Sequence, residues 1–194
     1  MINFDQRDRN AQFWLFKQLY HVLVQSSIRV LNGDWPNTFS HLVSAWQVSL
    51  HLVRRVPDFL VFALERGIVG LNQQLLNMIC MQQEDKKVEV AEMIGSLVSF
   101  LIYLVVAKNS WASQSPYLEV GELEEYLVKE VFQKLEEMTV KGADLRFRKT
   151  LLSRVLEGSV NSEYNNLTKD GMDIFIYVKT IIFGNKRGLK HIKL

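Results

Sequence analysis

Cysteine is nearly absent from this chain. Cys80 is its one thiol, set in the apolar run NMICMQQ. A lone thiol makes no internal disulfide, which excludes a disulfide-stapled secreted scaffold and points to a reducing, cytoplasmic compartment. The opening MINFDQRDRN is charged and lacks the apolar core of a signal peptide, and NLT at Asn166 matches a glycosylation acceptor by pattern alone. Turn formers are scarce as well, with three prolines and ten glycines in 194 residues. An all-β protein of this length needs many tight turns, so the shortage predicts long helices. Charge is missing from one region: between Asn10 and Val53 only Lys17, Arg29 and Asp34 carry it.

Motifs that carry chemistry are missing too. The four histidines, His21, His41, His51 and His191, form no H-E-x-x-H pattern and have no second cysteine to join. A zinc site therefore has no ligands at usable spacing. GIVG at Gly67 lacks the Lys-Ser/Thr of a phosphate-binding loop, and no G-x-S-x-G occurs. Cys80 sits among Met78, Ile79 and Met81, which reads as a buried structural thiol rather than an activated one. Glu122, Glu124, Glu125, Glu136 and Glu137 fall mostly on the solvated face of one helix. The expectation is a protein that is not an enzyme, with no catalytic residue, metal or cofactor, and no small-molecule substrate.

What is present is ordinary globular material: 48% apolar and 23% charged residues, with a net charge of +2. Such a chain buries enough apolar surface to fold. Its most apolar stretch, AEMIGSLVSFLIYLVVAKNSW, is uncharged from Met93 to Ala107. Those fifteen residues cover about 22 Å as a helix, short of the ~30 Å hydrocarbon core of a bilayer. The length favours a buried central helix over a span. Gly95, Ser96 and Ser99 within it are small enough to admit a neighbouring helix closely.

Periodicity supplies the rest. Residues 8–32 predict a long helix closed by Asn32-Gly33. Phe39, Leu42, Val43, Trp46, Leu50 and Val53 form one buried stripe of a helix over 36–55, with Asp34 or Asn37 as its cap. Shorter helices follow over 58–66 and 69–83, then the central one over 88–108. Residues 119–139 predict an ordinary amphipathic helix with Leu123, Leu127, Val131, Leu135 and Met138 inward. Outside, Glu125–Lys129, Glu130–Lys134 and Glu137–Lys141 are helix-stabilising pairs four residues apart. A helix over 143–157 comes next. DIFIYVKTIIF, within 172–183, is rich in β-branched and aromatic residues, but it has no partner strand and is assigned as helix. The fold class is therefore all-α: a compact bundle of about seven or eight helices around residues 88–108. It forms one domain over 1–185, followed by a basic tail over 186–194. In architecture alone this is similar to apoptosis-regulator-like folds and to small helical matrix or nucleocapsid proteins of viruses. No motif accompanies the similarity, LNGDWPNTF is not a BH-type signature, and no residue role is carried over.

Two candidate surfaces emerge. The first, second and central helices are apolar on more sides than one domain can cover, and interfaces are charge-poor and aromatic-rich at their centres. Trp14, Tyr20, Trp35, Phe39 and Trp46 are the candidate contacts for a protein partner or for self-association. The second surface is basic: Lys141, Arg146, Arg148, Lys149 and Arg154, with Lys186, Arg187, Lys190 and Lys193 of the tail. Such clusters suit RNA phosphates or an anionic membrane surface.

Overall fold

The computed structural model describes residues 6–82, 88–106, 116–140, 142–159 and 169–184. Among them every regular element is helical. In chain order these are α1 (Gln6–Leu31), α2 (Trp35–Arg55), α3 (Pro57–Leu64), α4 (Ile68–Gln82), α5 (Val88–Val106), α6 (Val120–Tyr126), a π-helical turn (Leu127–Val131), α7 (Phe132–Val140), α8 (Leu145–Ser159) and α9 (Lys169–Phe183). The segment α6–π–α7 runs without a break, so eight helical rods make up the described bundle. The polar segments 83–87, 107–115 and 160–168, Lys141 and the basic tail lie outside the described residues.

The first two helices form an antiparallel hairpin because the chain turns in three residues. Gly33 takes φ +92°, a left-handed conformation that costs glycine little. Its amide donates to the Val30 carbonyl (3.0 Å), and the next amide, of Asp34, donates to the Arg29 carbonyl (3.0 Å). That pair of bonds closes the helix end in the Schellman pattern. Asp34 does sit at the N-cap of α2, yet it makes no capping bond to a backbone amide. Its carboxylate instead accepts from Arg29 Nη2 (2.6 Å) and the Thr38 hydroxyl (3.1 Å), pinning the turn through side chains. On α2 the stripe Leu42, Val43, Trp46, Leu50 and Val53 is buried, and Phe39 is half-buried.

The centre of the bundle is α5. Among the described residues it is the one helix long and apolar enough to cross a membrane, and 78% of that window is buried inside the protein. Neighbours α2, α4, α6, α8 and α9 cover it, so the fold hides what a bilayer would otherwise have to. Its closest contact is with α8. A Cβ built on Gly158 would lie 2.6 Å from Ser99 Cα, and one on Gly95 would press into the Arg154 side chain, 3.3 Å from the Leu151 carbonyl oxygen. Small residues on both helices let the backbones meet, and the Ser99 hydroxyl donates to the Arg154 carbonyl. On the far side the buried Asn72 of α4 donates to the Leu97 carbonyl (3.1 Å), and Trp46 of α2 meets Phe100 edge-on at 5.3 Å.

The π turn has a sequence cause. Leu123, Leu127, Val131 and Leu135 are spaced by four, which overshoots the 3.6 residues of an α-helical turn and would carry the stripe steadily sideways. A wider turn at Leu127–Val131 absorbs the overshoot, and all four stay buried. The β-rich segment folds as α9. Ile174, Val178, Ile181 and Ile182 are buried at helical spacing, and α9 packs on α7, α8 and α5. Tertiary burial outweighs local strand preference there.

Candidate interaction surface

Helix α1 carries two stripes, each spaced alternately by four and three residues. The inner one is Phe16, Tyr20, Leu23, Ser27 and Val30, of which all but the half-buried Tyr20 are buried. Ser27 removes its own polarity by donating to the Leu23 carbonyl (2.7 Å). An aromatic cluster seats this face on α3. Phe16 meets Phe59 at 5.2 Å, Phe13 meets Phe62 at 5.3 Å and Tyr20 meets Phe62 at 5.9 Å. The Arg66 guanidinium lies 3.7 Å over the Phe62 ring, and the Tyr20 hydroxyl donates to the Arg66 carbonyl (2.6 Å). Burial raises the Tyr20 pKa despite the opposing Arg66 charge, so the phenol remains a donor.

The outer stripe is Ala11, Leu15, Gln18, Val22, Gln25 and Arg29, every one exposed. Beside it lie Trp14, Lys17, His21 and Ile28, also exposed. Trp14 is 62% exposed, Val22 53% and Leu15 49%. No acidic residue occurs from Asn10 to Leu31. One exposed leucine is unremarkable in any protein; several large apolar side chains along one helix face are a different matter.

The five aromatic residues expected at a partner surface do not stay together. Trp14 stands outside. Tyr20 and Phe39 are half-buried on inward flanks. Trp35 begins α2, and its side chain lies outside the described residues. Trp46 has no exposure at all and belongs to the core against Phe100, because the α2 stripe is covered by α5. Leu15, Val22 and Ile28 complete the exposed face instead. Their signal in the sequence was the apolar arc of α1, which spreads over more than one side.

No family model, curated protein or solved structure matches this chain. The reading of the surface therefore rests on its own chemistry.

The basic residues divide in the same way. Arg148 is spent inside the fold. Its guanidinium donates to the carbonyls of Thr139 (2.8 Å), Ala143 (3.0 Å) and Ile182 (3.0 Å), tying the ends of α7 and α9 to the start of α8. A cation suits those carbonyl-rich helix ends. Asp144, its near neighbour, caps α8 by accepting the Phe147 amide (2.7 Å). Arg154 bridges α8 to α5 by pairing with Glu92 (3.4 Å) and holds Glu157 (2.9 Å). Arg146 and Lys149 remain exposed. Lys141, Lys186, Arg187, Lys190 and Lys193 lie outside the described residues.

One polar cluster was not foreseen. Asn77 of α4 accepts from Lys134 Nζ (2.6 Å) and from the Tyr126 hydroxyl (3.4 Å), beside Cys80. Burial pushes the Cys80 thiol up to about 11, with Lys134 opposing, and the Tyr126 phenol is pushed up to about 12 by burial, then by Cys80 and Glu130. A thiol so raised is a poor nucleophile near neutral pH. Among the described residues no group of three or more His, Cys, Asp and Glu is placed to hold a metal ion.

Proposed function

We propose that this protein is a non-enzymatic interaction or assembly protein whose working surface is the outer face of α1. The observation that carries the reading is the exposed stripe Leu15–Gln18–Val22–Gln25, flanked by Trp14. It repeats the alternating spacing of the buried stripe on the opposite side of the same helix. Such spacing lets one helix face lie along another, and low charge with a tryptophan beside it is typical of protein interfaces. A single all-helical domain working in a reducing, cytoplasmic compartment is part of this reading, the half-buried Cys80 being its one thiol.

A second reading has narrower support. Arg146 and Lys149 are exposed one turn apart on α8, where they suit phosphate groups of RNA or an anionic membrane. Among the described residues it stands on these two, because Arg148 and Arg154 already hold other helices. Retention on heparin that survives Arg146→Glu/Lys149→Glu would remove it.

The main reading is tested by the double variant Leu15→Glu/Val22→Glu together with photo-crosslinking from position 18. Both side chains of the double variant face solvent, so melting is expected to shift by no more than a surface change does, about 0.5 kcal/mol per site. Crosslinks to protein are expected from Gln18 and not from Glu136 on α7, and the double variant should abolish them. Equal labelling from the two positions would defeat the assignment.

A further inference from the structure

The α1–α2 hairpin and the α6–α7 rod carry opposite charge. Between Asn10 and Val56 there are four basic residues (Lys17, Arg29, Arg54, Arg55) and one acid (Asp34), giving +3. Between Glu119 and Val140 there are seven acids and two lysines, giving −5. The net +2 of the whole chain hides this separation. Arg29 is paired with Asp34 and Arg54 lies over Tyr103 of α5, so Lys17 and Arg55 carry the outward charge. A positive hairpin whose outer stripe is apolar and amide-bearing attracts a surface with the reverse charge and the same stripe.

Among the described residues a second copy of the chain supplies no such surface: α9 exposes Met172, Ile176 and Phe183 along one face, but its two lysines and two aspartates leave it without net charge. Two hairpins meeting face to face bring like charges together. The acidic rod offers charge without an apolar stripe, because Leu123, Leu127, Val131 and Leu135 are buried against the bundle, Glu122, Glu125, Lys129, Glu130, Gln133, Glu136 and Glu137 fill its exposed face, and the one large apolar side chain exposed on it, Val140, stands alone at its end. Deepening the functional reading above, on which this rests, we propose that the α1 face binds an amphipathic helix of another protein. That helix would lay aliphatic side chains at alternating four and three spacing over Leu15 and Val22, and its flanks would be acidic. Trp14 covers one edge of the groove so formed, Gln18 and Gln25 offer amides within it, and Lys17 meets the partner's carboxylates.

Two designed helical peptides of three heptads test this. They share leucines at the alternating positions and carry Glu or Lys at the flanks. Anisotropy of the labelled peptides against the intact protein is expected to show the Glu peptide binding at least about tenfold more tightly than the Lys peptide at 0.05 M salt. The gap should shrink toward parity at 0.5 M, where charge is screened within a few ångströms. Leu15→Glu/Val22→Glu should remove binding, while Glu136→Lys/Glu137→Lys should leave it unchanged. Equal affinity for the two peptides, or no binding of either, overturns the acidic-helix assignment. Its failure is separable from that of the functional reading. Position-specific crosslinks or α1-dependent self-association seen by light scattering, with no preference for the Glu peptide, would leave the surface standing with a different occupant. Flotation with anionic vesicles that the double variant abolishes, again without peptide preference, would assign the face to lipid and sink the proposal.

Discussion

The α1–α2 hairpin and the α6–α7 rod solve the same packing problem with different outer faces. On the rod the outer positions are glutamates and lysines, with Lys129 paired to Glu125 and Lys134 within 4.0 Å of Glu130. Contrast between the two sides alone tells that helix how to sit. On α1 both sides are low in charge, and the side that faces inward is chosen by aromatic fit to Phe59 and Phe62 rather than by polarity. An outer face that needs no apolar residue for folding, and has several, is the feature on which the proposed interaction rests. The comparison also shows why charge is not the variable that locates the core here. Phe16 and Leu15 are neighbours in sequence and equally apolar, yet one is buried and the other is 49% exposed.

The sharpest way to break this comparison is to truncate a tryptophan on each side of the hairpin. Trp46 is wholly enclosed, so Trp46→Ala leaves a large cavity and is expected to cost about 3–5 kcal/mol. Trp14→Ala, on the outer face, should stay within about 0.5 kcal/mol of wild type. Urea denaturation of the two variants measures both, and the slope of each transition shows whether the folded state has kept its compactness. Similar losses from the two would mean that α1 packs its outer face against something within the chain.

How far the sequence alone foretells this division depends on the element. The α2 stripe was legible because its residues recur at strict helical spacing, so period and burial coincide even though Val48 on the other side is apolar and exposed. The burial of Met93–Val105 was legible from length, and the close α5–α8 crossing was foreshadowed by Gly95 and Ser99. Three features were not readable in advance. The side of α1 that faces water is set by Phe59 and Phe62, more than thirty positions away, and periodicity holds no information about distant partners. The π turn hides inside a stripe that looks regular, since a spacing of four suits either a drifting α-helix or a widened turn. The roles of Arg146 and Arg148 differ although the letters are the same two positions apart, because only Arg148 points at the ends of α7 and α9.

That last contrast yields a test of middle size. Removing the Arg148 guanidinium orphans the carbonyls of Thr139, Ala143 and Ile182 together. Hydrogen bonds from a charged donor contribute about 1.5–3 kcal/mol, and the three act as one clamp, so Arg148→Met is expected to cost about 2–3 kcal/mol. Arg148→Lys should recover part of this, as one ammonium cannot span three directions. Arg146→Met, on the exposed side, should change stability by less than about 0.5 kcal/mol while weakening any retention on heparin. If both arginines prove silent in stability but matter for retention, the basic surface is larger than the ties of Arg148 allow.

The smallest expected effect lies on α4, which packs on α1 and meets the rod near Cys80, beside Tyr126 and Lys134. Burial raises the thiol from its ordinary 9 to about 11, so the folded state holds the proton more tightly than the unfolded chain. Below pH 9 both states are protonated and the contribution is fully present. Between pH 9 and about 11 the unfolded chain ionises first, and stability falls as pH rises through that window. The loss is about 1–2 kcal/mol, below the full value for two units because the thiol is not completely enclosed. Cys80→Ala should flatten this part of the stability profile and leave the later decline from Tyr126, pushed up to about 12, in place. Alkylation at pH 8 should correspondingly be slow in the folded protein and fast in urea. A thiol that reacts freely at pH 8 in the native state would place Cys80 in open solvent and loosen the seam between α4 and α6.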